Sequence, residues 1–285
     1  MQRTDFRCFH RLRVRWAEVD MQKIVFNAHY LMYIDTAMMD YWRALALPYE
    51  ASMVALGGDI YVKKATLEYH ASAQLEDLLD IGLRCARVGN SSLLLQAGIF
   101  RGEQLLVSGE LVYVFADPAT QTSRPVPEAL RAIFAAYEAG DAMAHAHCGA
   151  WDALGPDAAR VRHAVFIQEQ GIPADIEVDE LDATAVHVVL RNRLGMPVAT
   201  GRLLQHAPGE GRIGRMAVER ALRGGGWGRQ VLRALEDAAR ARGDQHVLLH
   251  AQVQARAFYE RAGYHIHGEP WMEAGIPHIT MQRAL

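Results

Sequence analysis

The run Arg223-Gly-Gly-Gly-Trp-Gly228 constrains the fold more than any other feature of this chain. A strand-like stretch, residues 211–218, leads into it, and a helix-like stretch, residues 230–242, leads out. A chain that passes from a strand through glycines into a helix forms a βα unit. Its turn aims several backbone N–H groups at one point, with the positive end of the helix dipole behind them. Such a turn suits a pyrophosphate. The spacing fits R-x-x-G-x-G and not G-x-G-x-x-G, because Arg229 stands where the third glycine is needed.

That spacing points to coenzyme A rather than to a dinucleotide. Residues 255–264 read Ala-Arg-Ala-Phe-Tyr-Glu-Arg-Ala-Gly-Tyr. With the glycine turn, they resemble the GNAT acyltransferase superfamily. Phe166-Ile-Gln-Glu-Gln170 and Gly275-Ile-Pro-His-Ile279 are similar to its ElaA-like branch. The resemblance covers residues 150–285 and implies an α/β GNAT domain, a mixed sheet with helices on both faces. It implies that Arg223, Gly224, Gly226, Gly228 and Arg229 bind the CoA pyrophosphate. Met216, Ala217 and Val218 would lend backbone groups to the pantetheine, and Tyr259 would protonate the leaving thiolate. For the base that takes the amine proton, Glu219, Glu169, His187 and His278 stay open, as does a water relay. Asp175, Glu177, Asp179, Glu180 and Asp182 form an acidic run that reads as a solvated loop. It lacks the glycine and terminal glutamate of a calcium loop.

At 285 residues the length prior is about two domains. A formal charge of -3 argues against a general nucleic-acid binder. Cys8, Cys85 and Cys148 are too far apart for a disulfide framework or a zinc spacing, so a reducing cytoplasm is expected and no metal is predicted. The first residues carry no apolar signal region, and no apolar run reaches membrane-spanning length. Residues 139–149 are small and polar and read as a linker. His145, His147 and Cys148 in it lack a fourth ligand.

Residues 11–19 look extended, with Leu12, Val14 and Trp16 on one face. From about Ala28, Tyr30, Ile34, Ala37, Met38, Tyr41 and Leu45 recur at helical spacing, on a helix apolar around most of its circumference and hence buried. Pro48 closes that region. Strand-like runs follow at 60–70, 78–88, 92–101 and 104–116, then a helix from Pro127 to Glu138. This order describes an antiparallel sheet wrapped around one long helix and resembles the α+β hotdog fold. Residues 13–20 (Arg-Val-Arg-Trp-Ala-Glu-Val-Asp), Val25-Phe-Asn-Ala-His-Tyr-Leu31, Arg124-Pro125 and Pro127 are similar to the YbgC/FadM-like (4-hydroxybenzoyl-CoA-type) acyl-CoA thioesterases. The division expected is thus a hotdog domain over 1–138, a linker over 139–149 and a GNAT domain over 150–285.

The second resemblance implies that Asp20 attacks the thioester carbonyl or activates water, beside the backbone N–H of Asn27. Glu18 is the competing carboxylate. The group often has Gly three residues after the Asp; here Lys23 occupies that place, although a lysine does not readily take positive φ. His29 is a candidate for substrate contact, Tyr30 for core packing, and Lys63, Lys64, Arg84 and Arg87 for a phosphate-facing patch. The implied protein is bifunctional: it hydrolyses an acyl-CoA in its first half and moves an acyl group, acetyl above all, from CoA to an amine in its second. It would be a homodimer or tetramer through the hotdog half, with no nucleic-acid partner. The alternative is a first half that only dimerises or senses acyl-CoA.

Overall fold

The computed structural model describes residues 1–273 and 275–285. The chain forms two compact units, Met1–Met143 and Ala144–Leu285. In the first, β1 (Cys8–Arg13) is followed by α1 (Asn27–Ala44), α2 (Tyr49–Leu56), β2 (Asp59–Tyr69), β3 (Leu78–Val88), β4 (Ser92–Arg101), β5 (Gln104–Ala116) and α3 (Glu128–Ala139). The five strands are antiparallel neighbours in the order β1-β3-β4-β5-β2. Helix α1 buries Tyr30, Tyr33, Ile34, Ala37, Met38, Tyr41 and Trp42. The sheet answers with Leu79, Ile81, Leu83, Leu93, Leu95 and Leu111. Gly109 lies where the helix comes close: a Cβ there would stand 3.3 Å from Ile34 Cδ1 and 2.8 Å from Leu67 Cδ2.

The extended stretch expected over 11–19 stops at Arg13. Residues Trp16–Glu18 make a 3₁₀ turn, which carries Glu18 inward and leaves Trp16 80% exposed instead of beside Val14. Pro48 does not merely end the helical region; it stands directly before α2. The candidate patch of Lys63, Lys64, Arg84 and Arg87 does not assemble. β2 and β3 are separated by β4 and β5, about 14 Å at ordinary strand spacing.

The second unit contains β6 (Ala144–Gly149), α4 (Trp151–Arg162), α5 (Ala174–Glu177), β7 (Val186–Asn192), β8 (Pro197–Ala207), β9 (Glu210–Val218), α6 (Trp227–Arg242), β10 (His246–Gln252), α7 (Arg256–Glu260), β11 (His265–Ile266), β12 (Trp271–Glu273) and β13 (Ile276–Ala284). The sheet runs β11-β13-β10-β9-β8-β7-β6, with β12 paired to β13. Among the described residues only β9 and β10 pair in parallel, in line with the helix α6 that joins them. The stretch expected as linker is therefore in part a strand: residues 144–149 pair antiparallel with β7. Backbone hydrogen bonds carry that pairing, so small side chains without apolar alternation gave no sign of it. Helix α4 begins at Trp151 and carries Pro156 inside it. It widens to a π-helix over His163–Glu169.

Candidate active sites

In the first unit, Val19 and Val25 form an antiparallel bridge that turns the chain back on itself. The Asp20 N–H donates to the Ile24 carbonyl at 2.9 Å, and the Lys23 N–H to the Asp20 carbonyl at 2.9 Å. Lys23 adopts φ 64°, so the left-handed turn that favours glycine is kept with a lysine in it. The loop's return places Asp20 on one limb and the start of α1 just beyond the other. The Phe26 N–H donates to the Glu18 carbonyl at 2.9 Å, tying the two limbs together. Half-buried Asp20 accepts the Gln22 N–H at 2.8 Å through Oδ1. Asn27 is exposed as the first residue of α1, and its carbonyl accepts the Tyr69 hydroxyl at 3.2 Å. Among the described residues no acceptor meets the Asn27 or Ala28 N–H, as befits a first helical turn.

Glu18 is a brace. It is 3% exposed and accepts the Arg15 N–H at 2.8 Å, the Arg15 guanidinium, and the Tyr33 hydroxyl at 2.8 Å. Burial alone would raise its pKa; the bonds from Arg15 and Tyr33 outweigh that and hold the carboxyl below its usual range. Asp20, bonded among the described residues only to the Gln22 N–H through its side chain, is the less constrained of the two carboxylates. Tyr30 is core, its hydroxyl accepting the Ala73 N–H at 2.9 Å, while half-buried His29 packs edge-on against Phe26.

In the second unit, β9 and β10 pair only as far as Ile213 and Leu249. Beyond that the strands part, and the β10-facing edge of residues 214–218 has no strand beside it. A bulge in β9 against β8 accompanies Arg215 at φ 49°. Of Met216, Ala217 and Val218, Met216 lines the opening, Ala217 pairs with Thr200 of β8, and the Val218 carbonyl accepts from Arg223. The side chain of Ala217 packs with Val161 and Val165.

The glycine turn follows. Gly224 and Gly226 take φ 87° and 86°, and α6 starts at Trp227. The N–H groups of Gly224, Gly226 and Gly228 meet no acceptor among the described residues. Three such donors at the positive end of a 16-residue helix make an anion cradle. The Arg229 N–H is used inside the turn, on the Gly226 carbonyl at 3.1 Å. Arg223 departs from expectation. Its guanidinium grips both oxygens of Glu169 at 2.6 and 2.7 Å and donates to the Val218 carbonyl at 3.1 Å. It fixes the turn against β9 instead of reaching outward.

A cavity of about 330 Å³ opens at the parting of β9 and β10. Tyr259 lines it, its hydroxyl 3.7 Å from Met216 Sδ. Burial pushes the phenol up to about 12, so it is protonated at neutral pH. Of the four open candidates for the base, only His278 lines the cavity. Its Nδ1 lies 2.9 Å from the Ile276 carbonyl oxygen, which only accepts, so Nδ1 carries a proton and Nε2 is the ring nitrogen without a partner among the described residues. His187 is fully buried, with Nε2 2.9 Å from the Asp182 carbonyl oxygen. Glu169 is held by Arg223. Burial raises Glu219, which is not among the lining residues.

The acidic run is solvated only in part: Asp175 and Glu180 are exposed, the others are not. Glu177 and Asp182 are 3% and 2% exposed and bind buried Arg162; Asp179 and Asp182 bind Arg202. Arg202, Arg212 and Arg215 all line the cavity and were missed in the sequence, where only their places within apolar strands marked them. Among the described residues no group of three or more His, Cys, Asp or Glu side chains could hold a metal, and no helix is long and apolar enough to cross a membrane.

Residues 156–285 match the model of the acetyltransferase (GNAT) domain, and residues 14–134 that of the thioesterase-like superfamily. The uncharacterised N-acetyltransferase YjcF of Bacillus subtilis is 38% identical over 128 residues, which cover 45% of this chain and 90% of that protein. By its second half this chain belongs to the GNAT acetyltransferases, and its first half matches the thioesterase-like superfamily. A Thermus thermophilus thioesterase solved with coenzyme A and zinc is 24% identical, covering 48% of this chain and 98% of that one, with a TM-score of 0.43. The PA5185 protein of Pseudomonas aeruginosa is 26% identical over 50% of this chain and 98% of its own, with a TM-score of 0.42. The hotdog and GNAT units thus stand in sequence on one chain, each of a class that uses CoA thioesters.

Proposed function

We propose that this GNAT–hotdog fusion is a bifunctional, cytoplasmic CoA-thioester enzyme. The hotdog unit hydrolyses an acyl-CoA, and the GNAT unit passes an acyl group, acetyl above all, from CoA to an amine. The observation that carries the transferase reading is the cavity at the strand opening, which Met216, Tyr259 and His278 all line. The amine nitrogen attacks the thioester carbonyl, a C–N bond forms and the C–S bond breaks. His278 Nε2 takes the amine proton, and the Tyr259 hydroxyl gives its proton to the departing thiolate. The pyrophosphate rests on the N–H groups of Gly224, Gly226 and Gly228.

In the hotdog unit, Asp20 attacks the thioester or activates water, and the carbonyl oxygen draws on the N–H of Asn27 at the start of α1. Lys23 in the left-handed turn supports hydrolysis over a purely scaffolding role, since the loop keeps its shape without the glycine. Both residues lie at a surface bearing Trp16, Met21, Phe26 and Tyr69, at 80%, 100%, 47% and 53% exposure. An apolar surface of that kind favours burial by a second copy, as does the 11-residue edge strand β2. The test is free-CoA release from short, long and aromatic acyl-CoAs without amine. Asp20→Asn is expected to lower it about 100-fold or more; release unchanged in that variant would reduce the hotdog unit to a dimerisation or acyl-CoA-sensing module.

A further inference from the structure

We propose that the amine acceptor carries a carboxylate and that Arg212 holds it; this rests on the transferase reading of the GNAT unit. Strand alternation and register place Arg212 on the sheet face that also bears Arg202, Leu204, His250, Gln252 and His278, all of which line the same cavity. The opposite face, with Leu203, Ile213, Leu249 and Met281, is core.

The other charges at this wall are matched. Arg202 takes Asp179 and Asp182, and Arg162 takes Glu177 and Asp182. Arg215 takes Asp179 at 3.1 Å and the carbonyls of Ile176 and Glu177. Three guanidinium groups face three carboxylates, and the cluster is neutral. Arg212 is half-buried and meets no acceptor among the described residues. It leaves the cavity, which His278 also lines, with one uncompensated positive charge.

A guanidinium fork offers two parallel N–H donors, the match of a carboxylate's two oxygens. A phosphate dianion would leave a negative charge over. A substrate that enters without an anion would leave Arg212 desolvated and unpaired, which disfavours it in the way a site built for a polar group rejects the analogue that lacks it.

The experiment compares amino acids with their decarboxylated amines as acceptors from acetyl-CoA: β-alanine with ethylamine, γ-aminobutyrate with propylamine, phenylalanine with phenethylamine. In the full chain at least one pair should favour the carboxylated member by about tenfold or more in kcat/KM. Arg212→Gln should bring that ratio toward unity, and Arg212→Lys should restore part of it; unaltered acetyl-CoA binding by the variants reports that they are folded. Equal kcat/KM within every wild-type pair, or a ratio kept by Arg212→Gln, overturns the assignment of Arg212 and leaves the transferase reading standing. Failure of every amine overturns the transferase reading and this inference with it.

Discussion

Lys23 is a lysine at φ 64°, in a region that costs an L-residue about 1–2 kcal/mol. Replacing it with glycine relieves that strain and adds entropy to the unfolded chain, so Lys23→Gly should stabilise by about 0.5–1 kcal/mol. Urea denaturation should show a higher midpoint at an unchanged slope. At Gly226, φ is 86° with nothing within 4 Å of an added Cβ, so the cost of Gly226→Ala is backbone strain alone. It should destabilise by about 1–2 kcal/mol and raise the KM for acetyl-CoA, because the cradle donors shift with the turn. Both residues illustrate what a sequence conveys about a site. The glycines were legible because only glycine takes their conformation without strain. Lys23 was legible only as a departure, since a sequence does not say whether a loop bends or a residue yields. Arg223 fitted its motif, yet its guanidinium went to Glu169, a partner 54 residues away. His278 needed the cavity around it before it could be told from three other candidates.

At the scale of elements, the long helix α1, the antiparallel runs β3, β4 and β5 and the βα unit around the glycine turn were readable from periodicity and turn residues. What was hidden has a common cause: it depends on pairing between distant segments. β6 exists because β7 offers an edge to it, and Glu177 and Asp182 of the acidic run are buried because Arg162 and Arg202 reach them from other elements. That second case gives a pH prediction. Burial would raise Asp182, but the bonds from Arg162 and Arg202 prevail and lower it to about 2. An aspartate whose folded pKa lies below the unfolded value, about 3.9, stabilises the fold above that value. The contribution is lost as pH falls from about 4 to about 2, and is worth on the order of 2 kcal/mol. Asp182→Asn should therefore destabilise at neutral pH and flatten the acid limb of a stability–pH curve. A limb equally steep in the variant would assign acid sensitivity elsewhere. Glu18, also held below its usual range, should act in the same direction in the hotdog unit.

For the whole molecule, the proposed function gives an acyl group two fates, water at Asp20 and an amine at the GNAT cavity. The exposed apolar surface around Asp20 and the open edge of β2 predict at least a dimer through the hotdog unit. Light scattering at micromolar concentration should report twice the 31.7 kDa chain mass or more, and a monomer would contradict it. The most direct test of the central claim is free-CoA release measured with and without amine in the wild type, Asp20→Asn and Tyr259→Phe. Asp20→Asn should lose the amine-independent release and keep the amine-dependent increment, and Tyr259→Phe should do the reverse, each loss being about 100-fold or more. Loss of both activities in either variant, or of neither in both, would contradict two separate sites of acyl transfer.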